Sequence, residues 1–391
     1  FDYRALPEAD AQPRRACIVT DSLGRVETYI FQGEAGLARL VEHIRADGST
    51  IKRSYNQYGH LTQVTDPLGR SVRMQVGPMG QLLSTQGPDG STSSQSYDDT
   101  TGLLHSTTDA AGRTNRYQYD RYQRLTKVTM ADGSTEQYHY PEITTTAADP
   151  TIRLNADKPI KVTDAKGGNK HISYTSTGQT SSYTDCSGQT TRYEYTRWGQ
   201  TAATTNALGE RTRYQYNDKD QLQAVHYPDG SAEHYQYDAQ GQVSQVQAGR
   251  SSEVNNGINS NAAPASTIAS TTAAAVSMEY DLWGRLVRRS HAGQSLEFAY
   301  DAAGRLTQLT NENAEHTTFT WDVMDRLHKE TGFDARVQSY EYDAAGQLIQ
   351  SADGWAAEQS LPGHISRYEW TIAGQLAARH LPASDLIPAT S

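Results

Sequence analysis

Histidines have the greatest potential for chemistry in this sequence, and one pair is close enough along the chain to meet. The chain contains 12 His, and His226 and His234 lie on either side of the Asp229-Gly230 turn. Two imidazoles facing each other across a hairpin could begin a metal site, but zinc takes three or four protein ligands. No third ligand accompanies them, so we interpret the pair as polar residues of a strand face and expect no metal.

Other catalytic patterns are missing from the sequence. It contains no Gly-x-Ser-x-Gly elbow, no phosphate-binding loop and no Cys/His arrangement of catalytic type. Carboxylate pairs are plentiful but almost all belong to turns, so none stands out as a glycosidase-like pair. Cys17 and Cys186 form neither a disulfide framework nor a metal spacing. We therefore predict a protein that is not an enzyme and has no cofactor.

Global charge and hydropathy exclude two classes of partner. The net charge is -10 and the isoelectric point is near 5.6, which leaves no overall basic surface for nucleic acid or an anionic membrane. No run of 18 apolar residues occurs, so we predict no membrane span. The chain begins at Phe1 without a signal-like segment, which suggests a piece of a longer protein.

A short turn motif recurs along the whole chain and must position every other residue. Tyr280-Asp281-Leu282-Trp283-Gly284-Arg285-Leu286 and Tyr300-Asp301-Ala302-Ala303-Gly304-Arg305-Leu306 are two examples, and simpler Asp-Gly turns alternate with them. Turns follow one another every 10 or 11 residues, so two turns make a period of 21. In each motif the Asp can cap its turn and the Gly supplies a positive φ. The predicted turn residues are Asp120, Asp238, Gly241, Asp281, Gly284, Asp301, Gly304, Asp343 and Gly346.

The segments between turns alternate as β-strands do. Tyrosines fall on one face and charged or amide side chains on the other, as in Arg192-Tyr193-Glu194-Tyr195. After each turn the apolar residues are three apart, as with Leu306 and Leu309, which predicts a bulge beside the turn. About 33 strands at ~4.8 Å spacing would form a ribbon about 160 Å long, which we expect to coil. Closed into a ring it would be about 50 Å across, too wide to fill with its own side chains.

These motifs resemble the Rhs/YD-repeat family, which includes bacterial polymorphic toxins, toxin-complex subunits and the distantly related teneurins. The resemblance extends from about Val19 to about Gly374. It implies an all-β fold in which a long antiparallel hairpin-repeat sheet coils into a hollow spiral shell around a C-terminal toxin segment. It also implies a secreted protein, or a type VI effector delivered into target cells for interbacterial competition.

The sequence departs from that family at one conspicuous point. The family's core usually ends in an aspartyl self-cleavage module with two Asp-Pro-x-Gly motifs. Here only Asp66-Pro67-Leu68-Gly69 matches, and it stands where an ordinary repeat turn is due. We therefore interpret it as a turn, and we expect the residues after Gly374 to form a short tail and not a toxin domain.

The chain is interpreted as a single repeat segment, 1–391, with repeats at about 19–140 and 157–374. Leu37, Leu40, Val41 and Ile44 show helical spacing, which predicts one short helix at 34–45. Residues 141–156 form an insertion, 249–277 a low-complexity loop and 375–391 a tail.

Large apolar residues before several turn glycines form a second group of candidates. Trp198 and Trp283 are the largest, and we expect them either to contact another layer of the spiral or to pack locally under their own hairpin. Turn tips are normally polar, which makes contact with another layer worth testing, but local packing under the same hairpin is the favoured interpretation.

The leading hypothesis is a structural shell segment that encapsulates and sequesters a C-terminal toxin. Its partners would be the remaining segments of the same parent protein, including that toxin domain, and possible secretion-apparatus proteins. The alternative is an extracellular carbohydrate-binding or adhesion module, in which tyrosine-lined strands stack sugar rings. Glycan titration separates the two hypotheses.

Overall fold

The structure is a computed structural model that describes residues 1–9, 12–21, 24–34, 36–142, 155–250, 275–355 and 364–381. Within these ranges the regular elements are all β-strands, 32 in number, and they belong to one antiparallel sheet. The prediction of an all-β hairpin-repeat fold is confirmed. The chain divides into two compact units, of which unit 1 comprises 1–116, 130–132 and 297–391 and unit 2 comprises 117–129 and 133–296.

Unit 1 holds the strands of both ends of the chain. They are β1 (Asp2–Ala9), β2 (Gln12–Thr20), β3 (Val26–Gln32), β4 (Arg39–Ile44), β5 (Thr50–Tyr55), β6 (Leu61–Thr65), β7 (Ser71–Val76), β8 (Leu82–Gln86), β9 (Thr92–Tyr97), β10 (Leu104–Thr108) and the first part of β11 (Thr114–Tyr119). The strands of the C-terminal part are most of β25 (Gln294–Tyr300), then β26 (Leu306–Thr310), β27 (His316–Trp321), β28 (Leu327–Thr331), β29 (Arg336–Tyr342), β30 (Leu348–Trp355), β31 (His364–Trp370) and β32 (Leu376–His380).

Unit 2 holds the middle of the chain. Its complete strands are β12 (Leu125–Thr129), β13 (Thr135–His139), β14 (Lys161–Thr163), β15 (Asn169–Tyr174), β16 (Thr180–Thr184), β17 (Thr190–Tyr195), β18 (Thr201–Thr205), β19 (Arg211–Tyr216), β20 (Leu222–His226), β21 (Ser231–Tyr237), β22 (Val243–Arg250), β23 (Val276–Tyr280) and β24 (Leu286–His291).

Turns of two kinds alternate along the sheet. From β5 onward, a register shift accompanies the turns that follow odd-numbered strands, such as the one between Ser54 and Tyr55 where β5 meets β6. The described pairing of β13 with β14 is an exception and has no shift. A turn that follows an even-numbered strand has none, as between β6 and β7. Because successive turns lie at opposite ends of the strands, the shifts collect on one edge. We call it the Tyr edge, since most odd-numbered strands end in Tyr or Trp, and the opposite one the plain edge.

The sheet has almost no closed apolar core. In the described part of the chain the buried apolar side chains are Ala16, Ile30, Ala203, Ala224, Val225 and Ala232, and no large side chain is fully buried. Alternating half-buried and exposed positions dominate instead, as in β9 and β27. A single-layer sheet of this kind leaves both faces available to other groups.

The predicted helix at 34–45 is wrong. Residues 39–44 form β4, which pairs with β3 through Tyr29 and His43 and with β5 through His43 and Ile51. Two neighbouring strands supply a complete hydrogen-bond ladder, whereas an isolated helix of three turns is marginal in water. Leu37, the first residue of the supposed apolar stripe, is exposed.

The other interruptions lie mostly outside the described residues, which omit 143–154 and 251–274. β22 and β23 extend into the two ends of the predicted loop at 249–277. The tail predicted from residue 375 needs correction, because β32 occupies its beginning and pairs Leu376 with Trp370 of β31.

Candidate interaction surfaces at the two edges

The Tyr-edge turns share one hydrogen-bonded arrangement, which the turn at Asp281 shows completely. Its Oδ1 accepts hydrogen bonds from the backbone amides of Trp283 and Arg285, both at 2.9 Å, and its Oδ2 accepts one from Arg285 Nε at 2.6 Å. Gly284 has φ +78° and donates its amide to the Asp281 carbonyl. The Asp thus closes its turn and orients the guanidinium four residues later.

All nine predicted turn residues lie in Tyr-edge turns. Asp120 and Asp301 repeat the arrangement of Asp281 with Arg124 and Arg305. At Asp238 and Asp343 the fourth residue is Gln, so the carboxylate accepts only the two backbone amides. The glycines Gly241, Gly284, Gly304 and Gly346 all have φ between +78° and +92°.

Hydrogen bonding shifts the acidity of the turn carboxylates. Burial by itself raises the pKa of Asp120 and of Asp301, but hydrogen bonds from the following Arg and from backbone amides outweigh it. The pKa of each carboxyl is therefore below its ordinary value, and both side chains remain ionised in the folded protein at neutral pH.

The tyrosines that end odd-numbered strands have a specific role in the backbone network. Tyr97 Oη donates to the carbonyl of Leu82 at 3.0 Å. The register of β8 with β9 stops at Ser84, so Leu82 lies beyond the ladder between these two strands. The same bond spans 15 residues at Tyr55, Tyr140, Tyr174, Tyr195, Tyr216, Tyr237 and Tyr342, and Trp321 makes it through Nε1. The hydroxyl thereby satisfies a carbonyl beside the bulge.

A second network links neighbouring turns along the Tyr edge. The side chain four residues after the start of one turn donates to a backbone carbonyl of the next turn on that edge. Examples within unit 2 are Gln179 to Gly199, Gln200 to Asp220 and Gln242 to Gly284, and examples within unit 1 are Arg305 to Asp322 and Arg326 to Asp343. Each of these turns is therefore tied both to its own hairpin and to the next one.

The two tryptophans lie at the tips of Tyr-edge turns in unit 2. Trp198 is 71% exposed, and the Arg197 guanidinium lies 4.5 Å from its ring centre. Trp283 is half-buried beneath Arg285 of its own turn, at 4.8 Å. Contact of either ring with another layer of sheet remains a prediction.

Unit 1 contains a contact between distant repeats that the sequence reasoning missed. Arg70, after a plain-edge turn, donates to Asp325 Oδ1 at 2.5 Å and to the Val323 carbonyl at 3.3 Å. Arg113, after another plain-edge turn, donates to Gln347 Oε1 at 2.6 Å. We call this contact the seam. It joins the plain-edge turns at 66–70, 87–91 and 109–113 to the Tyr-edge turns at 322–326 and 343–347. The available signal was the Asp at position 325, where the motif normally has Gly.

The residues considered for metal or cleavage chemistry are arranged as follows. The rings of His226 and His234 meet edge to face, 6.1 Å between centres. Across the described ranges, no group of three His, Cys, Asp or Glu could hold a metal ion. Asp66 closes its plain-edge turn by accepting the amides of Leu68 and Arg70. Cys186 is exposed and Cys17 is half-buried.

Comparison with known proteins assigns the repeats. The family model described as RHS Repeat matches residues 99–135, 174–211, 195–232, 216–252, 280–316 and 300–337.

The chain is an RHS-repeat protein.

The RHS matches coincide with the structural period. Five of the six begin at a tyrosine that ends an odd-numbered strand: Tyr174, Tyr195, Tyr216, Tyr280 and Tyr300. One RHS repeat therefore starts at the ring that ends an odd-numbered strand and proceeds directly into a Tyr-edge turn. That turn is closed by Asp after Tyr280 and Tyr300, and by the side chain of Thr or Asn after the other three tyrosines.

Among individual proteins, the RHS chain is 42% identical to Toxin protein Tse5 of Pseudomonas aeruginosa over 91 residues, which are 23% of this chain and 7% of Tse5. Among solved structures, it is similar to a chain of TcdB2-TccC3-Cdc42 (15% identity, TM-score 0.47, 92% of this chain and 22% of that one). It is likewise similar to a chain of the Photorhabdus luminescens Tc holotoxin pore (15% identity, TM-score 0.46, 95% and 23%). The chain thus spans less than a quarter of each of these relatives.

In the described residues no helix is long and apolar enough to cross a membrane.

Proposed function

We propose that this chain is a structural shell segment of an Rhs-type secreted toxin or effector, and that it encloses and sequesters a C-terminal toxin supplied by the same polypeptide. The observation that carries the proposal is the 42% identity of the chain, over 91 residues, to a protein named as a toxin. In this proposal the segment itself performs no reaction.

The construction of the sheet supports a wall. A single-layer sheet with few buried apolar side chains gains little from a core of its own, so other interactions must hold the strands in line. The hydroxyl-to-carbonyl bonds and the side chains that reach from turn to turn supply such interactions in repeats of both units. A wall built in this way can be extended by adding repeats, and it can present a half-polar face to an enclosed protein.

The remaining partners follow from the same proposal. The cargo would be a C-terminal toxin domain of the parent protein, and delivery into target cells would involve secretion-apparatus proteins, with type VI secretion as the proposed route. Interbacterial competition is the proposed biological role, because Tse5 is a bacterial toxin.

Protease protection tests enclosure in the full-length parent protein. The same protease site is inserted either into the C-terminal region or into the plain-edge turn at 206–210, where Leu208 is 82% exposed. We expect prompt cleavage at the turn and at least tenfold slower cleavage of the C-terminal site. The C-terminal region expressed alone, with the same site, should be cut quickly. Equal cleavage of both sites in the intact protein would contradict enclosure.

The adhesion hypothesis is disfavoured by the use of the tyrosine hydroxyls. Those at the ends of odd-numbered strands donate their hydrogens to backbone carbonyls, for example Tyr216 to Thr201, and so do not offer them to a sugar. Titration of the segment with a glycan panel should show no saturable binding, and saturable binding at one patch would favour adhesion instead.

A further inference from the structure

The seam of unit 1 poses a problem of register. Each edge repeats nearly the same turn every 21 residues, so one row of turns could slide past the other by a whole repeat and still meet similar groups. Two rows of nearly identical turns specify their alignment only weakly, unless particular side chains differ from one turn to the next. The residues that differ from turn to turn at the seam are therefore the ones able to fix it.

Asp325 is such a residue. The other left-handed positions described in the Tyr-edge turns of unit 1 are the glycines at 59, 80, 102, 304, 346 and 374, whereas Asp325 adopts φ +63° with a side chain. A non-glycine residue in this region is uncommon and costs backbone free energy. Its carboxylate compensates by accepting hydrogen bonds from Arg70 at 2.5 Å and from Arg305 at 3.0 Å.

Arg70 is equally specific on the opposite row. The corresponding positions of the neighbouring plain-edge turns are Ser49 and Ser91, which carry no charge. Arg70 is fixed by its own turn, because its Nε and Nη2 donate to Asp66 while Nη1 is left for Asp325. Its side chain is only 15% exposed, so its direction is set by the surrounding turn.

We infer that Arg70 and Asp325 form a register key that selects one alignment of the two rows of turns. A slip of one repeat would place Arg70 against Gly304 or Gly346 and Asp325 against Ser49 or Ser91. Each slipped alignment separates the two charges and leaves the left-handed Asp without the cation from the other row. The key thus penalises a slip of one repeat in either direction, and it does so independently of any cargo.

A pair of introduced cysteines reports the alignment. A Cβ built on Gly87 would lie 2.8 Å from Met324 Sδ, so Gly87→Cys with Met324→Cys marks the native register. Gly87→Cys with Ala345→Cys marks a slip of one repeat, since position 345 is the equivalent of position 324 in the next Tyr-edge turn. Both pairs are made in a Cys17→Ser, Cys186→Ser background, and disulfide formation is followed over time.

Asp325→Gly removes the carboxylate and favours the left-handed backbone, so the turn itself should persist. We expect the native pair to cross-link about fivefold more slowly, as for loss of a surface ion pair, and the slipped pair to become detectable. Asp325→Asn, which also tolerates this backbone, serves as a second variant and should act in the same direction.

The matched control is Asp220→Gly in unit 2. Asp220 occupies the same turn position with φ +61°, but its side chain accepts from the neutral amide of Gln200. This change should leave the native cross-linking rate unaltered. An unchanged rate in both Asp325 variants would overturn the register key, and so would an equal slowing by Asp220→Gly.

Discussion

At the scale of single residues, the excess of tyrosine is explained by hydrogen bonding. The chain has 24 Tyr against 5 Phe, and a phenyl ring at the end of an odd-numbered strand could not reach the carbonyl beside the bulge. Where Tyr is replaced at these positions, Trp321 and Trp370 keep the contact through the indole N–H. A large ring with a donor at its far end therefore recurs at this position, although β7 ends in Val76, and hydrophobicity alone does not explain the preference.

The first prediction concerns one such hydroxyl. Tyr195→Phe removes the 2.7 Å bond to the Thr180 carbonyl and should lower the free energy of unfolding by about 1 kcal/mol, because the acceptor loses its partner. Tyr193→Phe, on the same strand face two residues earlier, should cost less than about half of that. Urea unfolding followed by circular dichroism measures both, and equal effects would contradict a specific role for Tyr195.

The second prediction concerns the turn carboxylates in acid. The pKa values of Asp109, Asp120, Asp301 and Asp322 are lower in the folded protein than the ordinary 3.8, because hydrogen bonds from the following Arg and from amides outweigh the opposing effect of burial. Their contribution to stability is complete above pH 3.8 and is lost as the pH falls through the folded-state values. The melting temperature should therefore fall steeply below about pH 4.

Asp301→Asn tests the acid prediction at one turn. The variant should be less stable at pH 7, and its melting temperature should depend less on pH below about 4. Asp218→Asn, at an exposed turn position, controls for the change in net charge. An Asp301→Asn curve parallel to that of the unmodified protein would show that this carboxylate does not contribute to acid unfolding.

At the scale of the strands and turns, local signals were sufficient where the contact is local. The Asp and Gly of a turn are three residues apart, and the bulge follows from apolar residues three apart such as Leu306 and Leu309, so both could be read from the sequence. The helix at 34–45 failed because pairing with two strands overrides a periodic pattern of four residues. The contact of Arg70 with Asp325 spans 255 residues, and no local pattern encodes it.

The third prediction concerns a pair of strands in alkali. Burial and a 3.0 Å hydrogen bond to Glu330 raise the pKa of Tyr340 to about 12, from the ordinary 10.0. A raised folded-state pKa stabilises the protein fully below pH 10, and this stabilisation is lost as the pH rises through 12. The β28–β29 pairing should therefore weaken in this range.

Tyr340→Phe isolates that effect. Its thermal stability should decline less between pH 10 and 12 than that of the unmodified protein, and the absorbance titration of tyrosinate should lose one late-ionising group. Tyr193→Phe is the matched ring substitution. If the two variants lose stability in alkali along the same curve, the Glu330 contact has no role in the pH dependence.

At the scale of the whole chain, the contacts define a one-dimensional repeat. Each strand pairs with its neighbours, side chains tie successive Tyr-edge turns together in both units, and the repeating unit contains one turn of each kind. Stability in such a chain is approximately a sum of repeat and neighbour terms. Whole repeats should therefore be removable, whereas half-repeats should not.

The fourth prediction compares two deletions, of which one removes a whole repeat and the other removes half a repeat. Removing residues 196–216 takes out 21 residues and joins Tyr195 of β17 to the Tyr-edge turn at 217–221, so that an odd-numbered strand again precedes that turn and β20 follows it. The bulge, the Tyr hydroxyl and the linking side chains all retain their equivalents. We expect a β-sheet circular dichroism spectrum and a cooperative melt close to those of the unmodified chain.

Removing residues 206–216 instead takes out 11 residues and joins β18 directly to the same turn. The Tyr-edge turn then lies at the plain edge, the donor hydroxyl that precedes it is gone, and every later strand is reversed relative to the strands that precede the deletion. This variant should aggregate or melt at least 10 °C lower, the loss expected when several repeat contacts of about 1 kcal/mol fail together. If the shorter deletion is tolerated as well as the longer one, alternation of the two turn types does not determine how this sheet is built.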